Sequence, residues 1–502
     1  MNIKEAKQEI ANTLRAYLAK DGQGNYLIPV NRQRPVLLMG PPGIGKTQIM
    51  AQIAAETGVG LVSYTITHHT RQSAIGLPFI EKRSYGGKEY AVTEYTMSEI
   101  LASVYTLMEN TEIREGILFL DEINCVSETL APMMLQFLQN KTFGNQRLPE
   151  GWLIVAAGNP PEYNKSVRDF DVVTLDRVKR IDIREDFAVW KEYAYRKSLH
   201  GAIISYLDIK KEHFYRIETG VDGMEFATAR GWEDLSELLQ VYEQLGLELG
   251  REVVGQYIQL PRIARDFTAY LALYYKYQKT YHVNEIIEGQ WHAVTASELR
   301  AAPFDEKLAV MGLLLARLSE SAGQTRAQDA LTEALYDDLL DFKARLAAGE
   351  AAAKILETLA QRHLTELSRA AEAGQLDKEV RSLTQREVEC LNRYRERLAE
   401  EGIGDTDALD AVRGWFEAQV QARATAAETA GRHFDNAFRY LEQAFGESQE
   451  LVLFVTEITA GFDTSWFVEH FGCDAYFRHN KALMFDNTRR QIQQDIFAAR
   501  GE

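Results

Sequence analysis

Residues 40–47 constrain this chain more than any other stretch. They read Gly-Pro-Pro-Gly-Ile-Gly-Lys-Thr and match the pattern G-x-x-x-x-G-K-[ST] in full. A short apolar run at residues 35–39 precedes them, and a helical stretch at residues 48–56 follows. Glycines let such a loop curl so that its N–H groups face phosphates, and the next helix presents the positive end of its dipole to the same charges. The pattern therefore predicts a phosphate-binding loop between a buried strand and a helix.

The predicted ligands are ATP and Mg²⁺. Lys46 is expected to reach the β- and γ-phosphates, and the Thr47 hydroxyl is expected to ligate Mg²⁺. The remaining loop positions are expected to surround the phosphates: Gly40, Pro41, Pro42, Gly43, Ile44 and Gly45.

Two further apolar runs end in polar side chains. Residues 116–124 read Gly-Ile-Leu-Phe-Leu-Asp-Glu-Ile-Asn; here Asp121 is predicted to hold Mg²⁺ through water, and Glu122 to polarise the attacking water. A solvated turn is the alternative interpretation of such a strand end. Residues 152–160 read Trp-Leu-Ile-Val-Ala-Ala-Gly-Asn-Pro, and Asn159 is predicted to lie between the γ-phosphate and the water, although Asn-Pro also starts ordinary turns.

The apolar pattern predicts an α/β fold followed by helices. Runs at 35–39, 61–66, 117–120 and 152–157 are short and bounded by turn residues, as buried parallel strands are. Helical spacing replaces them further on. We therefore expect an α/β nucleotide-binding domain with helices on both faces of a parallel sheet at 1–195, an α-helical lid at 196–300 and an acidic α-helical region at 301–502 that is a candidate partner-docking module.

Charge and cysteine content limit the classes of partner and compartment. The net charge is −17, and residues 301–502 carry roughly two-thirds of that excess. Nucleic-acid binding requires a basic surface, so the negative net charge argues against it. It does not exclude a locally basic pore in a ring. Three cysteines give no disulfide framework, and no apolar run reaches about 18 residues. These features predict a cytoplasmic protein without a membrane segment.

Four sequence pieces together resemble the AAA+ ATPases. They are GPPGIGKT, LFLDEIN, AAGNP and, at residues 175–180, LDRVKR. More narrowly, they look like the MoxR and dynein-related branch, over about residues 30–245. The resemblance implies a P-loop NTPase core and further roles: Arg177 as the arginine finger supplied to a neighbouring subunit, Arg180 as the runner-up, and Arg230 as the sensor 2 arginine of the lid.

The same resemblance also shows departures and an insertion. Cys125 stands where the branch usually has arginine, and Val178 stands where it usually has phenylalanine. The replacement at position 125 puts in doubt any contact across the subunit interface that the arginine would make. Residues 76–93 contain Gly86-Gly87 between strand-like runs and predict a hairpin. It resembles the helix-2 insert, which projects toward the ring pore, but it could also be a plain surface hairpin. A second hairpin is predicted around Gly144-Asn145.

The first functional hypothesis is a MoxR-like ATPase that works as a ring, expected to be a hexamer. It would remodel or activate a partner protein, for which a protein with a von Willebrand A domain is the expected candidate. Two alternatives stay open: a nucleic-acid-directed motor such as a restriction-type translocase, and a nucleotide-gated scaffold with little turnover. The acidic balance argues against the former, and the intact Glu122 and Arg177 argue against the latter.

Overall fold

The structure is a computed structural model, and it describes residues 1–68, 76–143, 146–163, 167, 170–220, 223–372 and 378–481. The chain divides into two compact units. The first comprises residues 1–186 and 360–388, and the second comprises residues 187–359 together with the described part of 389–502.

The strands of the first unit are β1 (Val36–Met39), β2 (Gly60–Thr65), β3 (Pro78–Tyr85), β4 (Lys88–Tyr95), β5 (Gly116–Asp121), β6 (Thr142–Phe143), β7 (Gln146–Arg147), β8 (Trp152–Gly158) and β9 (Lys179–Asp182). Five of them form one sheet in the order β2-β5-β8-β1-β9, with every neighbouring pair parallel. The predicted parallel α/β core is thus confirmed, and its four predicted strands correspond to β1, β2, β5 and β8.

The edge strand β9 was not predicted. Its sequence, Lys-Arg-Ile-Asp, buries only Ile181, and the other three side chains are charged. Charged side chains are common on edge strands because one side of the strand has no pairing neighbour. Such a strand lacks the continuous apolar run by which the central strands are recognised.

The helices of residues 1–186 are α1 (Ile3–Leu18), α2 (Lys46–Thr57), α3 (Glu99–Asn110), α4 (Ala131–Asn140) and α5 (Val172–Leu175). They cover both faces of the sheet. Because side chains alternate along a strand, Val36 and Leu38 of β1 pack with α1 and α2, whereas Leu37 and Met39 pack with α3 and α4. The central strands are therefore buried on both faces.

Two small hairpins leave this core. Strands β3 and β4 pair antiparallel through a turn at Gly86 and Gly87, whose φ angles are 60° and 81°. Left-handed angles at both turn residues favour glycine, and the predicted hairpin is confirmed. Strands β6 and β7 also pair antiparallel, but the turn residues predicted between them, Gly144 and Asn145, lie outside the described residues.

From residue 187 the described chain is mainly helical. Its helices are α6 (Phe187–Arg196), α7 (Gly201–Ile209), α8 (Ala229–Leu245), α9 (Arg251–Tyr257), α10 (Pro261–Thr280), α11 (Val283–Ile287), α12 (Ala293–Ala301), α13 (Phe304–Ala347), α14 (Ala352–Glu372), α15 (Lys378–Glu400), α16 (Asp405–Phe445), α17 (Gln449–Ala460) and α18 (Phe462–Phe471). Short 3-10 turns occur at Val30–Arg32, Ile66–His68 and Lys211–His213.

The helices from Phe304–Ala347 to Phe462–Phe471 confirm the predicted long helical C-terminal region. The second unit also has its own hydrophobic core. Tyr206, Trp232 and Phe267 lie at its centre, with ring centroids 5.3–5.8 Å apart. An antiparallel hairpin, β10 (Arg216–Gly220) with β11 (Gly223–Ala227), interrupts the helices, and the helical spacing of the sequence does not predict it. Among the described residues, no single helix is long and apolar enough to cross a membrane, although the bent pair α17 and α18 meets that requirement jointly.

Candidate functional site

The sheet order brings the predicted site residues together. Strand β8 lies between β5 and β1, and all three run parallel. The loops that leave their carboxyl ends therefore meet at one edge of the sheet, where open α/β sheets usually bind ligands. These loops carry residues 40–47, 121–124 and 159.

Glycine is required at defined points of the loop between β1 and α2. Gly43 and Gly45 have φ angles of 73° and 90°, which residues with a β-carbon rarely adopt. A β-carbon at Gly40 would lie 3.0 Å from the carbonyl oxygen of Ile183. Gly45 is the N-cap of α2, so the N-terminus of the helix opens directly onto the loop. Loop amides and a helix N-terminus together favour bound anions.

Lys46 is the first residue of α2, directly after this loop, and is only 8% exposed. Its ammonium donates hydrogen bonds to the carbonyl oxygens of Gly40 and Pro41, at 2.9 and 2.8 Å, and to Oδ1 of Asn159, at 2.8 Å. A buried ammonium needs such acceptors, because desolvation without them is costly. The contact with Asn159 links the loop after β1 to the loop after β8.

Thr47 and Asp121 form a second link across the site. The Thr47 hydroxyl donates to Oδ2 of Asp121 at 2.8 Å, and the other carboxylate oxygen accepts from the backbone N–H of Glu122 at 2.9 Å. A hydroxyl beside a carboxylate is a set of hard oxygen donors, which suits Mg²⁺.

Glu122 adopts an uncommon backbone conformation. Its φ is 58°, in the left-handed region that residues other than glycine, asparagine and aspartate seldom adopt. Its carbonyl oxygen accepts from the N–H of Cys125 at 2.9 Å, which closes a tight turn. Its carboxylate accepts from the Thr67 hydroxyl at 2.7 Å. Backbone strain of this kind is often found at functional sites.

Two polar residues were missed by the sequence analysis. Thr67 follows β2, the neighbour of β5, and its contact with Glu122 depends on strand order, for which the sequence carried no signal. Asn124 is the last residue of the LFLDEIN motif, so its place in that motif is a signal in the sequence. Its amide donates from Nδ2 to the carbonyl oxygen of Asn159 at 2.7 Å.

The two candidate finger arginines occupy different surroundings. Arg177 follows α5, is exposed, and donates to the side-chain oxygen of Gln139 in α4. Arg180 lies within β9, and its guanidinium pairs with Asp182 at 2.8 Å. Val178, between them, is 4% exposed and packs in the core cluster that includes α3 and α4.

Arg230 belongs to the second unit. It is the second residue of α8, two positions after the N-cap residue Thr228, whose side chain accepts from the N–H of Gly231. Arg230 is exposed, and its charge acts to lower the pKa of Asp234, although burial of that carboxyl raises the pKa overall. Its assignment as sensor 2 stays a prediction.

Comparison with known proteins identifies the first unit. The family model for the AAA domain (dynein-related subfamily) matches residues 35–178. That range holds residues 40–47, Asp121, Glu122, Asn159 and Arg177. No curated protein matches the chain.

Solved structures that resemble the chain include a "putative ATPase" from Cytophaga hutchinsonii. It is 18% identical, with a TM-score of 0.22, and the match covers 36% of this chain and 53% of that one. The chain thus spans about half of that structure, and so distant a likeness carries no argument about substrate or assembly. The family match and the loop geometry agree that residues 35–178 form a nucleotide-binding AAA domain of the dynein-related subfamily.

Proposed function

We propose that the chain binds ATP with Mg²⁺ at residues 40–47 and hydrolyses it to drive changes in a partner protein. One observation carries the proposal: Lys46, the Thr47–Asp121 pair, Glu122 and Asn159 converge at one sheet edge through direct hydrogen bonds. Chance glycine-rich turns do not bring a lysine, a hydroxyl and two carboxylates together.

The loop amides and Lys46 would hold the β- and γ-phosphates. Lys46 already faces oxygen atoms in this loop, and phosphate oxygens offer stronger acceptors than carbonyl oxygens because they are charged. Thr47 and Asp121 would hold Mg²⁺, and their oxygen donors fit that ion. When bound, Mg²⁺ would neutralise charge on the phosphate oxygens.

Glu122 would orient the attacking water, and Asn159 would bind between that water and the γ-phosphate. In this structure the carboxylate of Glu122 accepts a hydrogen bond from Thr67. To orient a water, the carboxylate has to break that hydrogen bond or accept from both groups. Arg177 is the proposed finger for a neighbouring subunit. Arg180 is less suited, since Asp182 already offsets its charge. Arg230 would act from the helical lid.

We further propose a MoxR-like ring, with a hexamer as the expected size and a cytoplasmic location. The family as a whole commonly forms rings, and a finger arginine has a function only beside a second subunit. The client would be a protein, with a von Willebrand A domain protein as the first candidate, and the acidic helices beyond residue 300 would dock it.

The hairpin β3–β4 is the second candidate contact with a client. Its strands are exposed along almost their whole length, and Ile80 is 78% exposed. Phe79, Tyr85 and Tyr90 are also among its exposed large side chains. Exposed apolar groups of this number on one element are typical of a binding surface.

Substitution of Glu122 tests the proposal. Glu122→Gln keeps the shape of the side chain and removes its charge, so Mg-ATP affinity should stay within about twofold while kcat falls at least a hundredfold, in the range typical of general-base loss. Glu109→Gln, at an exposed position of α3, is the matched control and should keep full turnover. Normal turnover by Glu122→Gln in a steady-state phosphate-release assay would exclude Glu122 from water activation.

A further inference from the structure

The Asn124 side chain fills the space between the ends of β5 and β8. It is 3% exposed, and it stands two residues after Glu122 in the turn that follows β5. The backbone beside it already joins the two strand ends, because the N–H of Ile123 donates to the carbonyl oxygen of Ala157 at 2.9 Å. The Asn124 side chain adds a second contact between the two strand ends, because it reaches the residue after β8, Asn159.

Gly158 is shaped to admit that side chain. A β-carbon at Gly158 would lie 2.5 Å from Oδ1 of Asn124 and 2.8 Å from its Cγ. Both distances are shorter than any normal contact of a β-carbon. Any larger residue at the end of β8 would therefore require the Asn124 amide to move from this position.

The amide also begins a chain of hydrogen bonds that ends at the phosphate-binding loop. Nδ2 of Asn124 donates to the carbonyl oxygen of Asn159 at 2.7 Å, and Oδ1 of Asn159 accepts from Nζ of Lys46 at 2.8 Å. The donor on Asn124 thus fixes the peptide of the residue whose side chain contacts Lys46. A shift of that peptide would turn the Asn159 side chain away from its place.

Packing alone does not account for asparagine here. Its Oδ1 is buried and has no hydrogen-bond partner among the described residues. A buried acceptor of this kind costs stability, whereas an apolar side chain of the same shape would not. What asparagine provides and leucine cannot is the Nδ2 donor.

We propose that Asn124 is a positioning residue for ATP hydrolysis, which acts by orienting Asn159. This inference rests on the proposed function, in which Asn159 lies between the γ-phosphate and the attacking water. Asn124 itself touches neither nucleotide nor water. Its loss should lower the rate of hydrolysis and leave nucleotide binding and stability nearly unchanged.

A double-mutant cycle tests the inference in the full chain. Asn124→Leu keeps the shape and removes the donor, so kcat should fall about tenfold, as one lost hydrogen bond predicts. Affinity for a fluorescent ATP analogue should stay within about twofold, and Tm should be equal or higher. In an Asn159→Ala background the same substitution should lower kcat less than about twofold, because its target is already gone.

An equal tenfold loss in both backgrounds, or normal turnover by Asn124→Leu, would overturn the inference. If that variant fails to fold, Asn124→Ala lacks the donor, adds no bulk and gives the same comparison. Wild-type protein without ATPase activity would instead overturn the proposed function itself. The two failures are therefore distinguishable by the wild-type rate.

Gly158 supplies a separate control for packing. Gly158→Ala should lower Tm, because its β-carbon meets the Asn124 amide. Adding Asn124→Ala should restore Tm by opening that space, but it should not restore kcat. Recovery of both would show that Asn124 acts through packing alone and would contradict the positioning role.

Discussion

At the residue scale, the described residues of the first unit include two buried lysines in different surroundings. Lys46 donates to three oxygen atoms, as a buried ammonium requires. Lys141, at the C-cap of α4, is 6% exposed and donates to the carbonyl oxygen of Val30 at 3.2 Å. Burial, and to a lesser degree the charge of Arg147, lowers the pKa of Lys141 to about 8. Burial of a lysine alone therefore does not indicate function.

Lys141 should make stability depend on pH. Its pKa is about 8 in the folded chain and 10.5 at its ordinary value. Between these values the unfolded chain binds a proton that the folded chain lacks, so the free energy of unfolding rises with pH, by up to about 3 kcal/mol. Below pH 8 both states are protonated and this gain is absent.

Lys141→Met should remove this dependence, because methionine has a similar length and no charge. We expect its Tm to exceed that of the wild type at pH 7 and the difference to shrink as pH rises from 8 to 10.5. Lys88→Met, at an exposed position of the β3–β4 hairpin, is the control. Melting curves that stay a constant distance apart over that range would contradict the assigned pKa.

At the element scale, the start of β5 depends on a close approach between strands. Gly116 pairs with Gly60 of β2 on one side and with Trp152 of β8 on the other. A β-carbon at Gly116 would lie 2.5 Å from the Trp152 ring and 2.8 Å from the carbonyl oxygen of Gly60. The buried indole thus lies across the glycine, and this contact helps to hold β5 and β8 in register at the end opposite the site.

Gly116→Ala should therefore destabilise the sheet by overpacking. We expect the free energy of unfolding to fall by about 1–3 kcal/mol, the usual cost when a well-packed core gains a methyl group. Gly22→Ala is the matched control, since nothing lies within 4 Å of its β-carbon. Denaturant titration of both variants checks the prediction, and equal midpoints would show that the Trp152 ring moves aside freely.

At the scale of the whole molecule, the chain combines an α/β ATPase domain with a long helical part and a net charge of −17. In the proposed ring, each nucleotide site is completed by Arg177 of a neighbouring copy. Arg177 is exposed in this structure, as a residue that serves another subunit has to be. Activity should accordingly rise with protein concentration.

Mixing two inactive variants tests that arrangement. Arg177→Ala should bind ATP yet turn over slowly, because a finger arginine contributes about 10³–10⁵ in rate. Lys46→Ala should bind ATP poorly but keep its own finger. Mixed rings place an intact finger beside an intact site at some interfaces, so partial activity should return.

Arg180→Ala is the matched arginine control for this experiment, because its guanidinium pairs with Asp182. Its rate should stay near that of the wild type. A mixture of Arg177→Ala and Lys46→Ala that stays inactive, although native mass spectrometry detects mixed rings, would count against Arg177 acting in trans. The same mixture made with an Arg180 variant would then decide whether Arg180 has that role.

The sequence by itself determined the features that are local along the chain. The loop at 40–47 needs glycines at set spacings, and the central strands need continuous apolar runs because they are buried on both faces. Both signals lie within a few residues, so the strand–loop–helix unit and the turn at Gly86-Gly87 could be predicted. The charged edge strand β9 and the β10–β11 hairpin could not, because pairing with neighbours sets their conformation.

Only the tertiary structure decided which side chains meet. The order β2-β5-β8-β1-β9 places Thr67 against Glu122 and Asn124 against Asn159, although these pairs are 55 and 35 residues apart. Nothing within either strand specifies its neighbour, since parallel strands are joined by crossovers through other elements. The sequence thus predicted which groups bind phosphate and orient water. The fold determined which residues hold those groups in place.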